Sequence, residues 1–236
     1  MKSPAGALLL DCDGVIALSE PLNFRCWNDA YTTLLNIRLT GDYRQLVGLD
    51  LEGIYALWAQ ANKSGQNGKN ELEQEIKDKL LASKNRLFYQ RAAEHLQPVQ
   101  GIHALIQRAR ERAWPVAVVS AALKERLSFT LEAVGLGDAF DLILAGEDIP
   151  AEGEGLKEYG RAAEMFPLPP HTCVVVEDSA SGIRAARRAG IGRIYGITTS
   201  CSEDVLFEAG ADYVIQALAE VELPAAFQQS AGMASQ

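Results

Sequence analysis

From Gly101 onward, short apolar runs alternate with segments of helical period. Ile102, Leu105, Ile106 and Ala109 recur at i, i+3, i+4 and i+7 and predict a helix over 102–112. A strand at 116–119 follows, then a helix over 124–134, a strand at 142–145, a helix over 159–165 and a strand at 173–176. A helix over 182–189 and strands at 193–197 and 213–215 complete the series. These strands are apolar nearly throughout rather than alternating, so the pattern predicts a parallel sheet covered on both faces by helices.

Ala7-Leu8-Leu9-Leu10 predicts one more buried strand, far upstream. Between Gly14 and Pro98 no alternating β-branched run occurs. Phe24, Trp27, Ala30, Tyr31 and Leu34 share one face of a helix over 24–35, so Trp27 and Tyr31 are expected in a core. Leu51, Ile54, Tyr55, Leu57 and Trp58 mark a second helix over 51–61, followed by a polar, Gly-punctuated loop at 63–70. A charged helix over 71–96 follows, its Glu and Lys residues read as a solvated face. The expected organisation is an α/β, Rossmann-like parallel-sheet core over 1–17 and 97–236, interrupted by a helical insert over 18–96. Residues 97–101 form the return hinge, no internal repeat is present, and the small, polar tail from Gln228 is expected to fray.

At 236 residues the chain can bury one large core, or one core with a smaller insert. A net charge of −9 argues against nucleic acid and anionic membranes as partners, but a local cation can invert the field within one cleft. No apolar run has membrane-spanning length, and the opening Met-Lys-Ser-Pro-Ala-Gly lacks a signal-peptide core. Cys12, Cys26, Cys173 and Cys201 are scattered without metal-ligand spacing, which fits reduced thiols in the cytoplasm. His95, His103 and His171 have no partner nearby in sequence and are expected in surface or capping roles.

The first strand stops on Asp11-Cys12-Asp13-Gly14. An Asp at the carboxyl end of a parallel strand is presented to the ligand cleft, and Asp13 can aim at the same point. Gly14 lets the backbone turn without a Cβ in the way. A calcium loop opens similarly, but Val15 and Ile16 stand where that motif needs further ligands and a glycine. Two more strands end in polar groups, one at Ser120 and one at Glu177-Asp178. Ser120 standing alone reads better as a helix N-cap, and Glu177-Asp178 also reads as a cap; together, three strand ends point to one chemistry. Hard oxygen ligands at one sheet edge suit Mg²⁺. Asp11 is then the nucleophile of a phosphoryl transfer, and Asp13 protonates the leaving alkoxide and later activates water. Ser120 and the Ala121 N–H cradle phosphate oxygens, and Glu177 and Asp178 hold the metal.

The segments Asp11-Cys-Asp-Gly-Val15, Phe24-Arg-Cys-Trp27, Val119-Ser-Ala-Ala122, Ala145-Gly-Glu-Asp148 and Val174 to Ile183 resemble, in order and spacing, the haloacid dehalogenase superfamily. The resemblance is closest to its CbbY-like, β-phosphoglucomutase-like and phosphoglycolate-phosphatase-like branch. It implies a Mg²⁺-dependent phosphatase acting on a small phosphorylated metabolite through an aspartyl-phosphate, as a monomer or weak dimer. The metal would be held by Asp11, the carbonyl of Asp13, Glu177 and Asp178. Residues 18–96 would be a cap that selects substrate, with Gly14, Asn23, Ser120 and Ala121 against it and Arg25, Arg44 and Lys63 as further cap candidates. Two departures stand out. The family's lysine, usually followed by proline, falls on Gly153, leaving Lys157 as a substitute cation. The mutase branch has His where this chain has Asn23 and Arg where it has Leu51, so hydrolysis is expected over mutase chemistry, the alternative being a non-catalytic binding module.

Overall fold

Ala7–Leu10 forms β1, with all four side chains buried, as an unbroken apolar run requires of a strand covered on both faces. The structure, a computed structural model, describes residues 4–45, 51–61, 72–148, 158–225 and 227. Five further strands pair with β1 in one parallel sheet: β2 (Val116–Val119), β3 (Leu142–Leu144), β4 (Cys173–Glu177), β5 (Arg193–Ile197) and β6 (Tyr213–Ile215). Their order is β3-β2-β1-β4-β5-β6, with Leu10 in register with both Val118 and Val176. The winding direction reverses between β1 and β4. That switch point, at the carboxyl ends of the strands, is where open α/β sheets bind ligands.

Three helices lie between β1 and the rest of the sheet: α1 (Glu20–Leu35), α2 (Leu51–Ala61) and α3 (Gln74–His95). After them come α4 (Ile102–Glu111), α5 (Lys124–Ala133), α6 (Glu158–Met165), α7 (Ala180–Arg188) and α8 (Glu203–Ala209). Alternate strand residues feed two cores. Leu8, Leu10, Val118 and Val176 pack with α4 and α5, while Leu9, Val119 and Val175 pack with α6, α7 and α8. The insert has its own core of Ala30, Tyr31, Ile37, Leu39, Ile54 and Leu80, with Phe24 and Trp27 against it. Trp27 and Tyr31 therefore pack as the helical spacing required. The chain enters and leaves this insert side by side: the Leu18 N–H donates to the Gln97 carbonyl and the Val99 N–H to the Ile16 carbonyl, each at 2.9 Å.

Some boundaries differ from expectation. α1 begins four residues early, because Ser19 takes the N-cap position and Pro21 sits in the first turn, where its missing N–H is not needed. α7 begins at Ala180, with the Ser179 hydroxyl accepting from the Gly182 N–H at 3.0 Å. The seven-residue α8 was not anticipated; it is too short to carry a periodic signal. The three histidines are exposed and all four cysteines are free thiols. No helix among the described residues is long and apolar enough to cross a membrane.

Candidate active site

Asp11 directly follows β1, and its N–H donates to the Val176 carbonyl at 3.1 Å, tying it to the end of β4. There Glu177 closes the strand and Asp178 follows. One carboxylate oxygen from each of Asp11, Glu177 and Asp178 lies within 4.8 Å of the others. Burial, then the charges of Glu177, Asp178 and Asp13, push the Asp11 carboxyl well above its usual range. Burial and the charge of Glu177 do the same to Asp178. Burial also raises Glu177, against the pull of its hydrogen bonds. Three desolvated, mutually repelling carboxylates form an all-oxygen donor set that fits a small hard divalent cation such as Mg²⁺.

Each carboxylate is fixed by its surroundings. Glu177 Oε2 accepts from the Asp178 N–H, the Ser179 N–H and the Ser179 hydroxyl, all at 2.9 Å, and Oε1 accepts from the Tyr159 hydroxyl at 3.0 Å. The capping role that Glu177-Asp178 could have had on its own is thus partly real. Asp178 Oδ2 accepts from the Ser200 hydroxyl, and Thr199 Oγ1, 3.4 Å away, donates to the Gly14 carbonyl at 2.8 Å. Gly14 is required twice over. Its φ is +80°, and a Cβ there would sit 1.7 Å from Asp178 Oδ2.

The Asp13 carboxylate stands apart from this cluster. Its Oδ1 accepts from the Ser19 hydroxyl, and Arg126 Nη2 lies 2.7 and 2.8 Å from its two oxygens. Arg126, in the first turn of α5, lies 5.3 Å from the Phe88 ring of α3, and the Lys84 ammonium lies 5.3 Å from the same ring and 5.6 Å from Trp27. Burial and the neighbouring Arg126 charge lower Lys84 to about 8. Burial and Asp13 raise the Glu20 carboxyl. Asn23 donates to Glu20 Oε1 at 3.4 Å, while its own Oδ1 is buried with no hydrogen-bond partner, as is Arg126 Nε. Beside Asp13 the structure therefore gathers Arg126, paired with it, the buried Lys84 ammonium and the buried, unpaired acceptor of Asn23.

The structure brings one carboxylate oxygen each of Asp11, Glu177 and Asp178 together, while the Asp13 carboxylate is engaged by Arg126 and Ser19; the family resemblance assigned the carbonyl of Asp13, not its carboxylate, to the metal. Ser120 is buried just after β2, and its Oγ accepts from the Ala122 N–H at 3.2 Å. It is not the α5 N-cap; that position falls to Leu123, and Glu147 Oε2 takes the Lys124 N–H at 2.6 Å. Ala121 is exposed in the same turn, and Arg25 and Arg44 stay at the surface, Arg44 paired with Asp42. Gly153, Lys157 and Lys63 lie outside the described residues. Ser19, Lys84, Arg126, Tyr159, Thr199 and Ser200 escaped the sequence reading. For Lys84 a signal existed: Leu80, Lys84, Phe88 and Ala92 form a buried stripe at four-residue spacing, so this lysine is not on the solvated face.

The family model of haloacid dehalogenase-like hydrolases matches residues 6–190. The chain belongs to that family. This hydrolase is 26% identical over 209 residues to the phosphorylated carbohydrates phosphatase of Thermotoga maritima, covering 87% of this chain and 91% of that protein. It is 26% identical over 217 residues to hexitol phosphatase B of Escherichia coli K12, covering 91% and 93%. Among solved structures, CbbY from Rhodobacter sphaeroides in complex with phosphate superposes with a TM-score of 0.70 at 26% identity, covering 92% of this chain and 96% of that one. The hydrolase thus shares its doubly wound sheet with this family, and the acidic cluster lies at the sheet's switch point.

Proposed function

We propose that this hydrolase is a Mg²⁺-dependent phosphatase of small phosphorylated metabolites, with sugar phosphates as the best-fitting substrate class. The observation that carries the proposal is the division of the carboxylates. Asp11, Glu177 and Asp178 converge on one point, while the Asp13 carboxylate is held separately by Arg126 and Ser19. That one relative is a phosphatase of phosphorylated carbohydrates and another a hexitol phosphatase supports the substrate class.

A Mg²⁺ held by Asp11, Glu177 and Asp178 would neutralise negative charge on the phosphoryl group. An Asp11 oxygen attacks phosphorus, the bond from phosphorus to the ester oxygen breaks, and the leaving alkoxide takes a proton from Asp13. Asp13 then accepts a proton from water as the water oxygen attacks phosphorus and the bond to Asp11 breaks, releasing phosphate. The Ser120 hydroxyl and the Ala121 N–H hold the phosphoryl oxygens. Residues 18–96 act as a cap over the core of 1–17 and 97–236. From it, Lys84 meets the polar body of the substrate, and the unpaired Oδ1 of Asn23 accepts from a substrate hydroxyl. Asn23 carries no titratable proton, which favours hydrolysis over return of the phosphoryl group to a second sugar. Free thiols at all four cysteines fit a cytoplasmic setting.

Phosphate release from a panel of sugar and short-acid phosphates, with Mg²⁺ or with chelator, tests the proposal. Wild type should release phosphate only with the metal, and Asp11→Asn should lose that activity by at least about a thousandfold. Activity retained in Asp11→Asn or in chelator would overturn the mechanism.

A further inference from the structure

We propose that Arg126 is a positioning residue: it holds the Asp13 carboxylate on the leaving-group side of the cleft and keeps it out of the metal-binding cluster, a role that rests on the phosphatase reading above. Asp11 and Asp13 are separated by one residue, in a turn whose neighbours Glu177 and Asp178 already make a divalent-cation site. A fourth carboxylate so close would be drawn to the same cation. Asp13 nevertheless lies outside the group of oxygens that converge within 4.8 Å.

The cause is visible. Arg126 Nη2 lies 2.7 and 2.8 Å from both Asp13 oxygens, and the Ser19 hydroxyl donates to one of them. The guanidinium is itself restrained. Its Cζ rests 5.3 Å from the Phe88 ring, and one turn along α5 Phe129 meets Tyr89 edge-on at 4.8 Å, so α5 is tied to α3 of the insert. Arg126 thereby ties the aim of the acid–base group to the contact between core and insert. It acts through Asp13 and need not touch substrate.

The test compares substrates that differ in their need for a proton. Arg126→Met should lower kcat/KM for a hexose phosphate by about a hundredfold, the scale of general acid catalysis, while kcat/KM for p-nitrophenyl phosphate changes by no more than about threefold. Because kcat/KM stops at the first irreversible step, later hydrolysis of the aspartyl-phosphate does not enter. Arg126→Lys, which keeps the charge and can still reach Asp13, should restore most of the hexose phosphate activity. Parallel losses on both substrates would assign Arg126 to folding or to phosphate binding and overturn the positioning role.

A second arm needs no turnover and separates this proposal from the phosphatase reading. In Mg²⁺ titration calorimetry, Arg126→Met should tighten binding by about tenfold, because Asp13 is freed to join the cluster, and should do so only while Asp13 is present. The same tightening in an Asp13→Asn background, or none in either, would overturn the proposal. Wild type inactive on every ester would refute the phosphatase reading and leave the calorimetric result to decide on Arg126.

Discussion

Replacing Lys84 by Met separates what the cleft needs for stability from what it needs for binding. Lys84 is 6% exposed within the buried stripe of α3, its ammonium 5.6 Å from Trp27 and 5.3 Å from Phe88. Burial first, and Arg126 second, bring the ammonium from 10.5 to about 8, against the attraction of Asp13 and Glu20. The unfolded chain therefore binds this proton more tightly than the native one, and native stability rises as pH climbs from about 8 to 10.5. Below pH 8 the whole penalty is present. At roughly 1.4 kcal/mol per pH unit it amounts to about 3 kcal/mol, of which lost cation–π attraction takes back about 0.5–2 kcal/mol. Lys84→Met fills similar volume without charge, so at pH 7 it should be more stable than wild type by about 1–3 kcal/mol. The gain should shrink towards zero near pH 10.5. Urea denaturation of both proteins at pH 7, 8, 9 and 10 measures this directly. A variant less stable than wild type at pH 7, or a difference that does not change with pH, would refute the reasoning. If Lys84 is kept for binding, the stabilised variant should also show a raised KM for sugar phosphates.

Asp178→Asn should stabilise the metal-free protein at pH 8 by about 1–3 kcal/mol, since it removes one of three buried, repelling carboxylates. The raised Asp11 and Asp178 carboxyls bind protons more tightly in the native state, so metal-free wild type should lose stability as pH rises above the ordinary carboxylate range, whereas Mg²⁺ should raise the melting temperature of wild type and not of Asp178→Asn. An identical Mg²⁺ response in both would remove Asp178 from the metal site. Gly14→Ala should lower stability by at least about 2 kcal/mol, because it combines a left-handed backbone with displacement of Asp178; calorimetry should show weaker Mg²⁺ binding as well. Tyr159→Phe leaves Glu177 Oε1 without its 3.0 Å donor and should lower the denaturation midpoint by the equivalent of about 1–3 kcal/mol, and an unshifted midpoint would mean that the bond contributes nothing.

The sequence by itself determined the sheet, the insert and half of the site. Short apolar runs bounded by turn signals and alternating with helical segments read as strands of a covered parallel sheet, and β1, β2 and β4 are buried throughout, whereas the edge strands β3 and β6 are only partly covered. Asp11, Ser120 and Glu177-Asp178 were legible because each ends such a run, and the ends of parallel strands share one edge whatever the strand order. Tertiary structure alone decided the other half. Arg126 and Asp13 are 113 residues apart, and Thr199 and Ser200 reach Asp178 from the end of β5. Nothing local distinguishes these side chains from ordinary surface polar groups. Lys84 was placed on a solvated face because periodicity tells which residues of a helix share a side, not which element covers that side. Once α3 lies against α1 and α5, that stripe is interior, and a lysine on it becomes a buried cation. Spacing along the chain fixes which face a residue takes; only the packing of distant elements fixes what that face meets.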